Sequence, residues 1–312
     1  MASREASEEL SRCSGGMEHL GEEERRSLID CMNSTDRPRI AIDEALRSNW
    51  FEMWYQPKID LKRKCLAGAE ALARIRHPSL GVLLPGSFLP EGNEESIARL
   101  TEYALVSTLR DWATFDEAGF NLHLAINVPV SVMLKLPIPD LVRDHRPHAS
   151  QWPGIILEVR EDQIVRDIAL AHEIATQFRV NGISIAIDDF GAGYSSFARL
   201  RELPFAEIKL DRTFVAECAT DATNAAICQT AIDLAHRFGS AAVAEGIEHQ
   251  ADLQSLVLMG CDFGQGALIA PPMPMERFIG LLRQRMNKSR TAQPPAEPSA
   301  ASHASPEVGR VA

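Results

Sequence analysis

The chain has 312 residues, 45% of them hydrophobic, enough to bury one large core or two ordinary ones. Its 43 acidic against 32 basic residues leave a net charge of −11, which argues against a nucleic-acid polymer as partner but leaves room for a local basic site for a small phosphate ligand. No membrane segment, signal-peptide core, CxxC pair or HExxH motif is present, so the sequence predicts a cytoplasmic protein with free thiols and no zinc site.

Residues 1–38 read as a mobile acidic leader with one short helix around Glu22–Cys31, too small for a second domain. Trp50–Leu61 and Cys65–Arg74 flank the basic turn LKRK and predict two strands or a hairpin. Glu95–Trp112 has the spacing of an amphipathic helix, with Ile97, Leu100, Tyr103 and Leu109 on one side. From there short apolar runs alternate with helical stretches. Leu122–Ile126 ends at Asn127 and precedes a helical stretch over Ser131–Asp144; Ile155–Leu157 ends at Glu158 and precedes a helix over Gln163–Arg179. Ile183–Ile187 stops at Asp188-Asp189, with Gly191 and Gly193 just beyond, and Phe205–Ile208 stops at Lys209. A helix over Asn224–Phe238 follows, then Ala241–Ala244 ending at Glu245, a helix over Leu253–Met259, and a short strand Cys261–Phe263 before Gln265. Met275–Met286 predicts a closing helix, and the Pro-, Ala- and Ser-rich end predicts a disordered tail over residues 287–312.

Strands alternating with helices predict an α/β fold with a parallel sheet. About eight strands fit a (β/α)8 barrel; a doubly wound open sheet is the competitor, but it would keep its ligand at one switch point. Here nearly every strand delivers a polar residue at its C-terminal end, where barrel enzymes keep their active sites. Barrel closure would bring Glu70, Asn127, Glu158, Asp188, Asp189 and Glu245 to one mouth. Such an all-oxygen donor set suits Mg²⁺ or Mn²⁺, and bare it would repel itself unless some members bound metal or protons. Lys209 adds a cation among these anions. Two ions about 4 Å apart can activate water and clamp a phosphate, so the residues suggest phosphoester hydrolysis with the substrate open.

The runs YQPKID, EALAR, LAINVPVS, LEVRE, DDFGAGYSSF, IKLDRTFV, VAEGIE and CDFGQGALIAPPMP resemble, in order, the signatures of EAL domains. The resemblance covers residues 39–286. It implies a modified (β/α)8 TIM-like barrel with its first strand antiparallel, often a homodimer. It also implies hydrolysis of cyclic-di-GMP to linear pGpG with two Mg²⁺ or Mn²⁺ ions, which lowers this bacterial second messenger.

Carried over by position, the resemblance implies metal ligation by Glu70, Asn127, Glu158 and Asp188, with Asp189 at the second ion. Lys209 matches the lysine that contacts the attacking water, and Glu245 a general base or second-ion ligand. Gln56, Leu72, Arg74, Glu248 and Gln265 match substrate-contacting positions, and Glu161 matches the glutamate that braces the DDFG loop. Set against these, Leu72 could be ordinary core, Arg74 a surface charge and Glu248 a helix-start acid. Ile75, Asn93, Arg160 and Ala192 depart from the family pattern. Arg160 could draw the Glu161 brace away, pair with another acid, or lie idle on the rim. Other function classes remain beside the enzyme: a cyclic-di-GMP receptor that binds without cutting, or a scaffold acting by protein contact.

Overall fold

The computed structural model describes residues 38–147, 149–164, 174, 176–191 and 204–291. The leader, its short helix and the tail beyond residue 291 therefore lie outside the described residues, as does much of the helix expected over Gln163–Arg179.

Among the described residues ten strands form one sheet: β1 (Phe51–Asp60), β2 (Cys65–His77), β3 (Gly81–Leu83), β4 (His123–Asn127), β5 (Ile155–Arg160), β6 (Ile183–Phe190), β7 (Glu207–Leu210), β8 (Ala241–Ala244), β9 (Phe263–Gly264) and β10 (Met273–Pro274). Eight of them close a ring in the order β1-β9-β8-β7-β6-β5-β4-β2, because β1 pairs with both β9 and β2. β1 runs antiparallel to both neighbours, and every other pairing around the ring is parallel. The modified barrel and the antiparallel first strand are as expected. β3 extends β2, and β10 extends β1, outside the ring.

Alternate residues of a strand face alternate sides, so each strand loads the interior in layers. At the layer nearest the strand starts, Lys58 of β1 reaches across to Glu207 of β7, Nζ lying 2.6 Å from both carboxylate oxygens. Next comes a tight apolar layer of Ala125, Ile156 and Ala186. One step further along the same strands stand Asn127, Glu158, Asp188 and, on β7, Lys209. The apolar layer thus separates a polar floor from a polar mouth.

The helix over Glu94–Glu117 is longer than periodicity predicts, and Asn93 explains its start: its side chain accepts a hydrogen bond from Ser96 N at 2.8 Å. Asn93 is thus an N-cap in this chain. Where one helix was expected over Ser131–Asp144 there are two, Val130–Met133 and Ile138–His145. Pro137 precedes the second, and proline cannot supply the donor that a continuous helix needs. β7 starts two residues later than the apolar run suggests, its pairing with β6 and β8 beginning at Glu207, which is buried beside Lys58. β2 continues well past Glu70, held by antiparallel pairing to β1 and β3 through Ile75. The four described cysteines are free, as expected, and no described helix is long and apolar enough to cross a membrane. Contacts divide the chain into two compact units, Met1–Met275 and Glu276–Ala312. The described part of the second is helical, in the helix Met275–Thr291.

The floor has a pH consequence. His123, inward on β4, has a buried Nε2 without a hydrogen-bond partner, and burial, with Lys58 adding to it, pushes its pKa down to about 4. An unfolded histidine titrates near 6.5. The folded value is depressed, so neutral His123 contributes stability that is complete above about pH 6.5 and disappears as pH falls through about 4. Over that window the chain should lose at most roughly 3 kcal/mol from this group. Urea midpoints measured from pH 7 to 4 should fall more steeply for the wild type than for His123→Gln; parallel curves would remove His123 as the cause.

Candidate active site

At the mouth, Lys209 is 1% exposed and surrounded by four acids. Its Nζ lies 2.6 Å from Glu245 Oε1, 2.7 Å from Glu158 Oε2, 3.2 Å from Asp188 Oδ1 and 3.8 Å from Glu70 Oε2. The acids come from β2, β5 and β6 and from the turn after β8, so only ring closure assembles them. Gln265, just after β9, ties two of them together: Nε2 donates to Glu70 Oε2 at 2.6 Å and to Glu245 Oε1 at 3.1 Å. Asn127 Nδ2 donates to Glu70 Oε1 at 2.7 Å, which leaves its carbonyl oxygen for another partner. Gly266 lets this loop close: a Cβ there would stand 2.2 Å from Ile247 N, so only glycine allows the strand end to lie against the turn that carries Glu245.

The second aspartate needs a local distortion. In a regular strand Asp188 and Asp189 would point to opposite sides. The β6–β7 register slips between Ile187 and Phe190, and Asp189 adopts φ +55°, a left-handed conformation that aspartate tolerates better than most residues. As a result Asp188, Asp189 and Glu245 each present a carboxylate oxygen within 4.8 Å of the others. Gly191 follows at φ +100°, and its N–H donates to Glu161 Oε2 at 3.0 Å. Glu161 therefore holds the start of the DDFG loop in this structure.

The charges do not balance. Burial first, then Glu70 and other acids, push the Glu158 carboxyl well above its ordinary range despite Lys209. Burial, with Glu70 and Asp188, pushes Glu245 up to about 8 against the pull of Lys209. Burial opposes charge on Lys209, yet the surrounding carboxylates raise its pKa well above the ordinary value. Glu70 goes the other way: Lys209, Gln265 and Asn127 together overcome its burial. Buried Asp188 Oδ1 accepts no well-aligned hydrogen bond, even with Lys209 nearby. A crowded all-oxygen set with an orphaned carboxylate oxygen fits a hard divalent cation.

The other expected residues fall at differing distances from this cluster. Gln56 sits directly opposite Glu70 across the β1–β2 ladder and donates to Ala270 O at 3.3 Å. Leu72 is half-buried and Glu248 is exposed. Arg74 is buried, not a surface charge, with Nη1 on Ala73 O at 2.9 Å and Nε without a partner. Arg160 is not idle: Nη1 lies 2.7 Å from Asp189 Oδ2 and Nε 3.4 Å from Asp162 Oδ1. It does not draw Glu161 away, because Glu161 keeps Gly191. Sequence reasoning passed over Trp54, whose ring lies 5.7 Å from the Arg74 guanidinium. The signal was available, since period-two alternation puts Trp54 on the side of β1 that carries Gln56.

The EAL domain family model matches residues 39–272. A cyclic di-GMP phosphodiesterase of Pseudomonas aeruginosa is 36% identical over 236 residues, 75% of this chain and 40% of that protein. The cyclic di-GMP phosphodiesterase RocR of the same organism is 34% identical over 262 residues, 82% of this chain and 66% of that protein. This chain thus spans about two fifths to two thirds of these relatives. Among solved structures, the PaMucR phosphodiesterase in complex with c-di-GMP superposes with a TM-score of 0.71 at 34% identity, over 76% of this chain and 97% of that one. With three quarters of its length matched by the family model and its barrel shared with that structure, the chain belongs to the EAL domain family.

Proposed function

We propose that this chain is a cyclic-di-GMP phosphodiesterase that opens one 3′–5′ phosphodiester to give linear pGpG. The observation that carries the reading is the buried Lys209 ringed by Glu70, Glu158, Asp188 and Glu245 at the barrel mouth, with Asp189 beside them. Glu70, Asn127, Glu158 and Asp188 would hold one Mg²⁺ or Mn²⁺ and Asp189 a second. Such ions supply charge neutralisation at the phosphate and activation of water.

The chain's own groups have separate tasks. Lys209 is fixed by its acids and orients the attacking water. Glu245 either accepts that water's proton or ligates the second ion; a carboxylate pushed toward neutral pH suits the first task. Arg74, with an unused N–H, meets a phosphate oxygen. Gln56, Leu72, Gln265 and Glu248 contact the nucleotide, and Glu161 holds the loop that carries Asp188 and Asp189. A cytoplasmic homodimer belongs to the same proposal, on the family resemblance alone.

The test is purified protein with cyclic-di-GMP and Mg²⁺ or Mn²⁺, products separated by chromatography. pGpG should form, cease on chelation and return with either ion. Ca²⁺ prefers longer bonds and looser geometry, so it should bind and inhibit. Activity in chelator or in Ca²⁺ alone would contradict the metal reading. Tight nucleotide binding without pGpG would make the protein a receptor, and no binding would leave a scaffold.

A further inference from the structure

Lys209 neutralises the inner acids, but none of its contacts is to Asp189. That carboxylate has a cation of its own. Arg160 ends β5 in register with Asp188 of β6, and its guanidinium lies over the next residue, 2.7 Å from Asp189 Oδ2. The contact is reachable from solvent: the Arg160 side chain is 56% exposed and that of Asp189 28%. Asp162, the second residue of the following helix, offers a second carboxylate 3.4 Å from Arg160 Nε. Asp189 meanwhile belongs to the trio, with Asp188 and Glu245, whose oxygens lie close enough to share one ion.

We infer that Arg160 is a tethered cation that competes with the second divalent ion for Asp189, with Asp162 as the acceptor that keeps Arg160 when the ion displaces it. The inference rests on the two-ion reading of the site. A guanidinium and a divalent ion drawn to the same carboxylate repel each other and compete for its charge, so filling the second site at Asp189 weakens the 2.7 Å contact. An exposed pair is a weak competitor, so the site is attenuated rather than closed. Arg160 is thus a positioning residue that sets the ion concentration at which the second site fills, and the first site is untouched.

The experiment is Mn²⁺ binding to the metal-free full chain, followed by calorimetry and by the loss of free-ion paramagnetic resonance. Wild type should show a tighter and a weaker class of site. Arg160→Thr should tighten the weaker class by about two- to fivefold, the range of an exposed ion pair, and leave the tighter class unchanged. Arg160→Lys keeps the charge and should stay near wild type. Asp162→Asn removes the alternative acceptor and should weaken the second class further. Superimposable isotherms, an equal shift of both classes, or a single class in every protein would overturn the inference. Hydrolysis of cyclic-di-GMP by the wild type is run in parallel. Turnover with superimposable isotherms removes only the role of Arg160, whereas absent turnover removes the phosphodiesterase reading whatever the isotherms do.

Discussion

Glu245→Gln should lower turnover of cyclic-di-GMP by about 10²–10⁴-fold while nucleotide binding largely survives. The substitution keeps the shape of the side chain and removes its charge. Glu245 Oε1 accepts from Lys209 at 2.6 Å and from Gln265 at 3.1 Å, and an amide oxygen can still accept both. The fold around the mouth should therefore persist. What disappears is the proposed proton acceptor or second-ion ligand, and either role would matter more in the transition state than in the bound substrate. The measurement is kcat beside a nucleotide dissociation constant obtained in Ca²⁺, where turnover is suppressed. Wild-type kcat in the variant would end the assignment, and an equal loss of binding and kcat would make Glu245 a substrate-binding group.

The alternation of apolar runs and helical stretches made the barrel legible, because β4, β5, β6 and β8 are buried strands that carry polar residues near or just beyond their C-terminal ends. Closure made the site legible in turn, since the acids had no other reason to recur at strand ends. The structure adds what periodicity cannot carry. Glu207 lies unremarked inside the run Phe205–Ile208 until Lys58, 149 positions away in sequence, pairs with it in the interior. Asp189 looks as if it faces away from Asp188 until the slip between β6 and β7 turns it. The effect of Arg160 depended on which acid lay nearest in space, and its neighbour along the chain, Glu161, proved to be engaged with Gly191.

Lys209→Met should cost more than activity. Methionine fills similar space, so the loss is of charge. Glu70, Glu158, Asp188 and Glu245 then face one another without their common cation in a buried place. Removing one partner of a buried ion pair typically costs about 3–5 kcal/mol, because the remaining charge is stranded. The variant can relieve this in two ways, by taking up protons or by binding a divalent ion. Without metal, its carboxyls should hold protons to higher pH than in the unfolded chain. Raised folded values mean stability that is present at low pH and lost as pH rises. In chelator the variant should therefore approach wild-type stability near pH 5 and fall well below it near pH 8. Added Mn²⁺ should recover part of the deficit by neutralising the same acids, while turnover stays lower by orders of magnitude, since an ion would not replace the ammonium proposed to orient the water. Urea midpoints at the two pH values, with and without Mn²⁺, read this directly. A variant as stable as wild type at pH 8 in chelator would show that Lys209 is not the charge on which this mouth is balanced.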